Sequence, residues 1–207
     1  MHPFKIFSAL LLIMTLGFQT ESTAQKSKAT LIFKDGTTIQ GLAKLSGIDK
    51  VKFKRNKKEK ATKYHFSELK KAIINDGEAS STYVYAKVDI DTYKVLEEIT
   101  IGKVNLYSME FSGYSGPVYM AGPNGGSWTG MGHSYNIKNL FVSREGEEIV
   151  THLGSNQLFT KNFKKAASTY FKDCPELVKK IQNKKLKKRD IKDIVEFYNN
   201  QCQQLAK

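Results

Sequence analysis

Apolar and polar positions alternate in short runs from Ala29 to Leu153, then recur at helical spacing from Phe163 to Leu205. The first pattern marks strands with one buried face, and the second marks amphipathic helices. Ala29 to Phe33 and Thr37 to Leu42 flank Lys34-Asp35-Gly36, a hairpin turn signal. Lys50 to Lys54 interleaves Val51 and Phe53 with lysines, and Thr62 to Phe66 and Lys71 to Asn75 extend the meander beyond a charged tip at Arg55 to Lys60. Thr82 to Ile90, Tyr93 to Ile101 and Lys103 to Ser108 follow, and Ile137 to Ser143 with Glu148 to Leu153 form a last hairpin around Glu145-Gly146. Strands this short and closely spaced predict a mainly antiparallel β-sheet or half-open β-barrel over residues 25–155.

Alternation lapses between Phe111 and Asn136, a glycine-rich stretch that holds the only tryptophan, Trp128. Such a length without periodicity predicts a long surface loop over residues 111–136, with a disordered hairpin extension as its plainest form. Aromatic residues among glycines also suit sugar or peptide binding. That makes Trp128 a candidate contact, with Tyr114, Tyr119 and Tyr135 beside it.

Residues 156–207 predict helices. Phe163, Ala166, Ala167 and Tyr170 share one face of a helix from Lys161 to Lys172. Asp173-Cys174-Pro175-Glu176 opens a second helix, striped by Leu177, Val178 and Ile181. After the basic break Lys184 to Arg189, Asp190 caps a third, carrying Ile191, Ile194, Val195, Tyr198, Cys202 and Leu205 on one face. Folded back as a hairpin, the last two helices run about 18 Å each from their common turn, which brings Cys174 and Cys202 together. Those are the only two cysteines, and the pair predicts a disulfide that stabilises the hairpin by about 3–4 kcal/mol. With no C-x-x-C and no histidine at ligand spacing, a redox or metal site is disfavoured. The fold class is therefore α+β.

The N-terminus adds a compartment. A weakly basic start with His2 and Lys5 precedes an apolar run from Ile6 to Phe18, then a polar stretch ending at Ala24, with Ser22 two residues before it. This is the layout of a secretory signal peptide over residues 1–24, cut before Gln25. The run is shorter than the roughly 20 residues of a spanning helix, so no transmembrane segment is expected after cleavage.

Tyr170-Phe171-Lys172-Asp173-Cys174-Pro175-Glu176-Leu177, with Asp190-Ile191, Ile194-Val195, Tyr198-Asn199 and Cys202, resembles the C-terminal module of uncharacterised exported proteins of Bacteroidota. The likeness is specific over the last helices and looser upstream, at Phe33 to Gly36 and Gly102 to Tyr107. It implies an exported, periplasmic or secreted protein with paired cysteines, and implies no activity.

The chain lacks the common catalytic signatures. Gly113-Tyr114-Ser115-Gly116-Pro117 misplaces the second glycine of a hydrolase elbow, and no phosphate-binding or dinucleotide loop occurs. His65, His133 and His152 lie in different elements, and Asp89 with Asp91 lacks the further oxygens of a calcium loop. No catalytic, cofactor-binding or metal residue is assigned.

Charge changes the picture more. The net charge is +13, nearly all of it lysine, concentrated in Lys50 to Lys71 and Lys161 to Lys192. Arg55, Arg144 and Arg189 are the only arginines, which argues against nucleic acid as the partner. An anionic envelope surface or another envelope protein fits better. Lys52, Lys54, Arg55, Lys57, Lys58, Lys60 and Lys63, with Trp128, are the candidate contacts. A lysine-rich composition that merely solvates the surface gives the same pattern. The leading expectation is a non-enzymatic binding or structural protein. The alternative is an enzyme with a dispersed site near the Gly-rich stretch.

Overall fold

The computed structural model describes residues 27–77, 79–116, 118–121, 127–130, 132–156 and 162–202. The leader with its Ala24–Gln25 cut, the Gly122–Gly126 run, Lys161 and Leu205 lie outside them.

Alternation yields β1 (Ser27–Phe33), β2 (Thr38–Ser46), β3 (Lys50–Lys54), β4 (Thr62–His65), β5 (Leu69–Asn75), β6 (Ser80–Asp89), β7 (Thr92–Thr100), β8 (Val104–Ser115), β9 (Val118–Ala121), β10 (Ser127–Gly130), β11 (His133–Arg144) and β12 (Thr151–Ser155). Ten of these form one open antiparallel sheet in the order β12-β11-β8-β7-β6-β5-β1-β2-β3-β4. Helices α1 (Phe163–Tyr170), α2 (Pro175–Gln182) and α3 (Ile191–Gln201) follow, so the chain is α+β. The first strand does not start the meander at an edge. It sits between β2 and β5, and Leu31 at its centre is fully buried.

Directly opposed residues of antiparallel strands share a face. The register Leu31–Ala72–Tyr83–Glu97–Ser108–Leu140 therefore traces one face across six strands. At one end of this face Leu31 and Ala72 pack with Val51, Phe53 and Phe66. At the other, Leu140 joins Leu106, Val142 and Leu153 against Phe171, Leu177 and Ile194 of the helical segment. The opposite face holds a smaller cluster of Leu96, Tyr107, Phe141 and Val150.

Cys174 and Cys202 are joined by a disulfide, with Cα atoms 5.5 Å apart. Asn199 pins α3 to the sheet. Its Oδ1 accepts from the Val104 N–H at 2.9 Å, and its Nδ2 donates to the Val104 carbonyl at 2.9 Å, as a neighbouring strand would. A Cβ on Gly102 would lie 2.4 Å from that Nδ2, so only glycine leaves room. Gly102→Ala is expected to lower stability by about 1–3 kcal/mol through displacement of this amide. Urea unfolding of the variant checks it.

Arg144, at the end of β11, fastens the helices from the other side. Its Nη2 donates to the Tyr170 carbonyl at 3.0 Å and to Asp173 Oδ1 at 2.7 Å, and the guanidinium lies over the rings of Tyr170 and Tyr198. The Tyr198 hydroxyl donates to Asp173 Oδ2. Burial pushes the Asp173 carboxyl up, but the hydrogen bond from Tyr198 and the Arg144 charge outweigh it and hold the carboxyl below its ordinary value. Burial, then the bond to Asp173, push the Tyr198 phenol up to about 12. The two shifts set opposite windows. The Asp173 contribution is complete above the ordinary carboxyl range and is lost as pH falls through the depressed value. The Tyr198 contribution is complete below about pH 10 and is lost as pH rises toward about 12. Denaturation midpoints followed from pH 7 down to about pH 3 should fall less in Asp173→Asn than in the wild type.

The glycine-rich stretch is a correction. Residues 111–136 are not a long loop in their described part. Phe111 to Ser115 pair with His133 to Ile137 as the outer half of a long β8–β11 hairpin, and Val118 to Ala121 pair with Ser127 to Gly130. The alternation is hidden because glycines replace side chains that a cross-strand aromatic ring covers. A Cβ on Gly113 would meet the ring of Tyr135, its direct partner, at 2.5 Å, and one on Gly132, just before β11, would meet the Ser115 carbonyl and then the Tyr114 hydroxyl at 2.5 Å. Aromatic cover of strand glycines keeps such a ribbon extended.

Candidate functional site

Lysines crowd the outer face of the β2–β3–β4 edge. Ala43, Val51 and Phe53 are buried on the inner face of these strands, so the alternate residues project outward. Register brings Lys44 opposite Lys52, and Lys52 opposite Lys63, in one outward row across three strands. Lys50 and Lys54 flank Lys52 on the same face. The tip is ordered by its own hydrogen bonds. Glu59 Oε2 accepts from the Arg55 N–H at 2.9 Å, Asn56 Oδ1 accepts from the Lys58 N–H at 3.0 Å, and Lys54 Nζ donates to the Lys57 carbonyl at 2.9 Å. Arg55, Lys57, Lys58 and Lys60 are exposed around it.

Residues 44–63 contain nine basic side chains against two acidic ones, Asp49 and Glu59, a net of +7. Among the described residues, none of the nine makes an ion pair. Like charges directly opposed across strands repel, so this row weakens the fold it belongs to. The second basic stretch is paired in part, though Lys184, Lys185 and Lys187 make no ion pair among the described residues. Lys180 pairs with Glu176 at 3.5 Å, Lys192 with Glu196 at 3.8 Å, and Lys188 Nζ donates to the Ser155 carbonyl at 2.5 Å.

Of the residues singled out in the sequence, Lys52 and Lys63 meet directly, Lys54 flanks them, and Arg55, Lys57, Lys58 and Lys60 surround the tip. Lys44 joins the row only through the β2–β3 register, which the local sequence does not show. Trp128 lies elsewhere, on β10 opposite Met120. Tyr114 and Tyr135 are occupied in part as covers for glycine.

Two further constellations lie nearby. His65 Nε2 contacts Asp49 Oδ2 at 2.9 Å, while Nδ1 contacts Ser67 Oγ at 2.6 Å and accepts from the Ser67 N–H at 3.0 Å. Glu68 closes the loop by accepting from the His65 N–H at 3.0 Å. These bonds form a capping box for the short 3-10 turn Phe66–Glu68, whose Phe66 plugs the core. The Ser–His–Asp contacts thus serve a local fold role.

A cavity of about 300 Å³ opens on the inner face between the β2–β3 turn and β8. Leu45, Phe66, Val95 and Phe111 line it alongside Glu97, Ser108 and Glu110. The Ser108 hydroxyl is buried there without a hydrogen-bond partner among the described residues. Both carboxylates are engaged: Glu97 accepts from Ser81 Oγ at 2.6 Å and Glu110 pairs with Lys138 at 2.5 Å. Burial raises the Tyr83 phenol and, in the adjoining strand, the Glu98 carboxyl. Among the described residues, no group of three or more histidine, cysteine or carboxylate side chains is placed to hold a metal ion. No helix of the described residues is long and apolar enough to cross a membrane.

Compared with protein-family models, curated proteins and solved structures, the chain matches none of the three.

Proposed function

We propose that this is an exported, non-enzymatic binding protein whose β2–β4 edge docks on an anionic, phosphate-bearing envelope surface. The observation that carries the reading is the outward row Lys44–Lys52–Lys63, set side by side without carboxylate partners among the described residues. Lysine on an edge strand also blocks edge-to-edge pairing, but that purpose needs charge on β4 alone and not a row continuing into β2. Lysine ammoniums act as point charges without forked geometry, which suits a surface of many phosphates better than one shaped ligand. The export half draws support from the Cys174–Cys202 bond, since structural disulfides persist in oxidising compartments.

Lysine-acetylation footprinting, read by mass spectrometry with and without anionic phospholipid vesicles, tests which surface is used. Vesicles should protect Lys44, Lys52, Lys58 and Lys63 and leave Lys184 and Lys185 labelled. Equal protection of both groups, or none, counts against the hairpin as the contact.

A further inference from the structure

The sheet forks at Ser108. β7 pairs with β8 only as far as Glu97 opposite Ser108, whereas β8 stays paired with β11 out to Ser115 opposite His133. Among the described residues, the outer edge of β8 from Met109 to Ser115 therefore has no strand beside it. Other edges are obstructed. β4 is four residues long and carries Lys63. Lys188 occupies the Ser155 carbonyl of β12. The free edge of β11 is closed by Asn156, whose Oδ1 accepts from the Lys138 N–H and whose Nδ2 donates to the Asn136 carbonyl, each at 2.8 Å. Met109 to Phe111 border the cavity lined by Leu45, Ile48, Lys94 and Val95, and among the described residues no side chain caps the backbone of the β8 edge beyond them. Its only charge, Glu110, is paired with Lys138, and Phe111 and Tyr114 stand 41% and 66% exposed.

We propose that this edge pairs with the same edge of a second copy, as antiparallel strands about a two-fold axis at Ser112. The occupant follows from register. That axis sets Phe111 opposite Gly113 of the second copy, and Glu110 opposite Tyr114 of the second copy, with no like charges opposed. Phe111 and Gly113 share a face with Ile137 and Tyr135, their partners on β11. Each Phe111 thus fills the space beside a glycine already covered by Tyr135, continuing the aromatic-over-glycine packing the chain uses at Gly113 and Gly132. The contact is isologous, so it closes at a dimer. It is independent of anion binding and opposite in salt response. Two strongly basic copies repel, so salt strengthens this pairing, whereas it weakens binding to phosphate.

Sedimentation equilibrium of the exported form over about 1–500 µM, at low and high salt, tests the pairing. The mass should climb from monomer toward dimer, further at high salt. Ser112→Lys, which sets two ammoniums face to face on the axis, should weaken association at least about tenfold, with its thermal midpoint unchanged at concentrations where both proteins are monomers. Ser112→Cys should form a covalent dimer in air. Ser115→Cys should not, because its two thiols stand about 20 Å apart in this register. A monomer at every concentration, a dimer that survives Ser112→Lys, or equal crosslinking at the two positions overturns the proposal.

Discussion

Replacing Lys44, Lys52, Lys58 and Lys63 with glutamine is expected to weaken binding to anionic vesicles about a thousandfold. A lysine near an anionic membrane surface contributes about 1 kcal/mol, so four contribute about 4 kcal/mol, close to three decades of affinity. Glutamine keeps much of the stem that packs along the strand and removes the charge. The same variant carries a second expectation of opposite sign. Lys44, Lys52 and Lys63 stand opposed with no carboxylate among them. Removing their mutual repulsion should leave stability equal or higher in urea. Lower stability with unchanged binding would show that the lysines serve the fold and not a partner. Losing binding while keeping stability is the trade-off of a site held for function.

The largest stability effect is expected from the disulfide. Cys174→Ala with Cys202→Ala should lower stability by about 3–4 kcal/mol, the loop-closure entropy of a link across 28 residues. The loss should concentrate in the helices. Both cysteines are buried among Phe171, Leu177 and Ile194, so the pair ties the start of α2 to the end of α3 within the core they share. Hydrogen exchange should speed most in α2 and α3 and least in β1 and β5, whose core around Leu31 and Ala72 is separate. An unchanged denaturation midpoint would mean that Asn199 on Val104 and Arg144 on Asp173 hold the helices unaided.

Much of this fold is legible in the sequence because its local patterns are strong. Val51 and Phe53 among lysines gave β3, and Leu177, Val178 and Ile181 gave α2. The pairing of Cys174 with Cys202 followed from helix lengths, and the structure contains it. What pattern does not carry is partnership. Nothing near Ala29 to Phe33 announces that β1 inserts between β2 and β5, because strand periodicity fixes a face but not a neighbour. For the same reason Lys44 was not grouped with Lys52 and Lys63. The outer β8–β11 ribbon has the look of a loop in the sequence because glycines such as Gly113 erase the alternation, although Tyr135 and Ile137 keep the two-residue spacing of a strand. The Arg144–Asp173–Tyr198 cluster joins residues far apart in the chain, and no local signal marks it.

Co-sedimentation with phospholipid vesicles asks whether the basic edge meets an anionic surface. The chain from Gln25 onward is spun with anionic and with neutral vesicles at stepped salt concentrations. The predicted result is binding to anionic vesicles alone, strong at low salt and fading once the screening length drops to about 10 Å near 0.1 M. Protein left in the supernatant at every salt concentration, or bound equally to neutral vesicles, would contradict it.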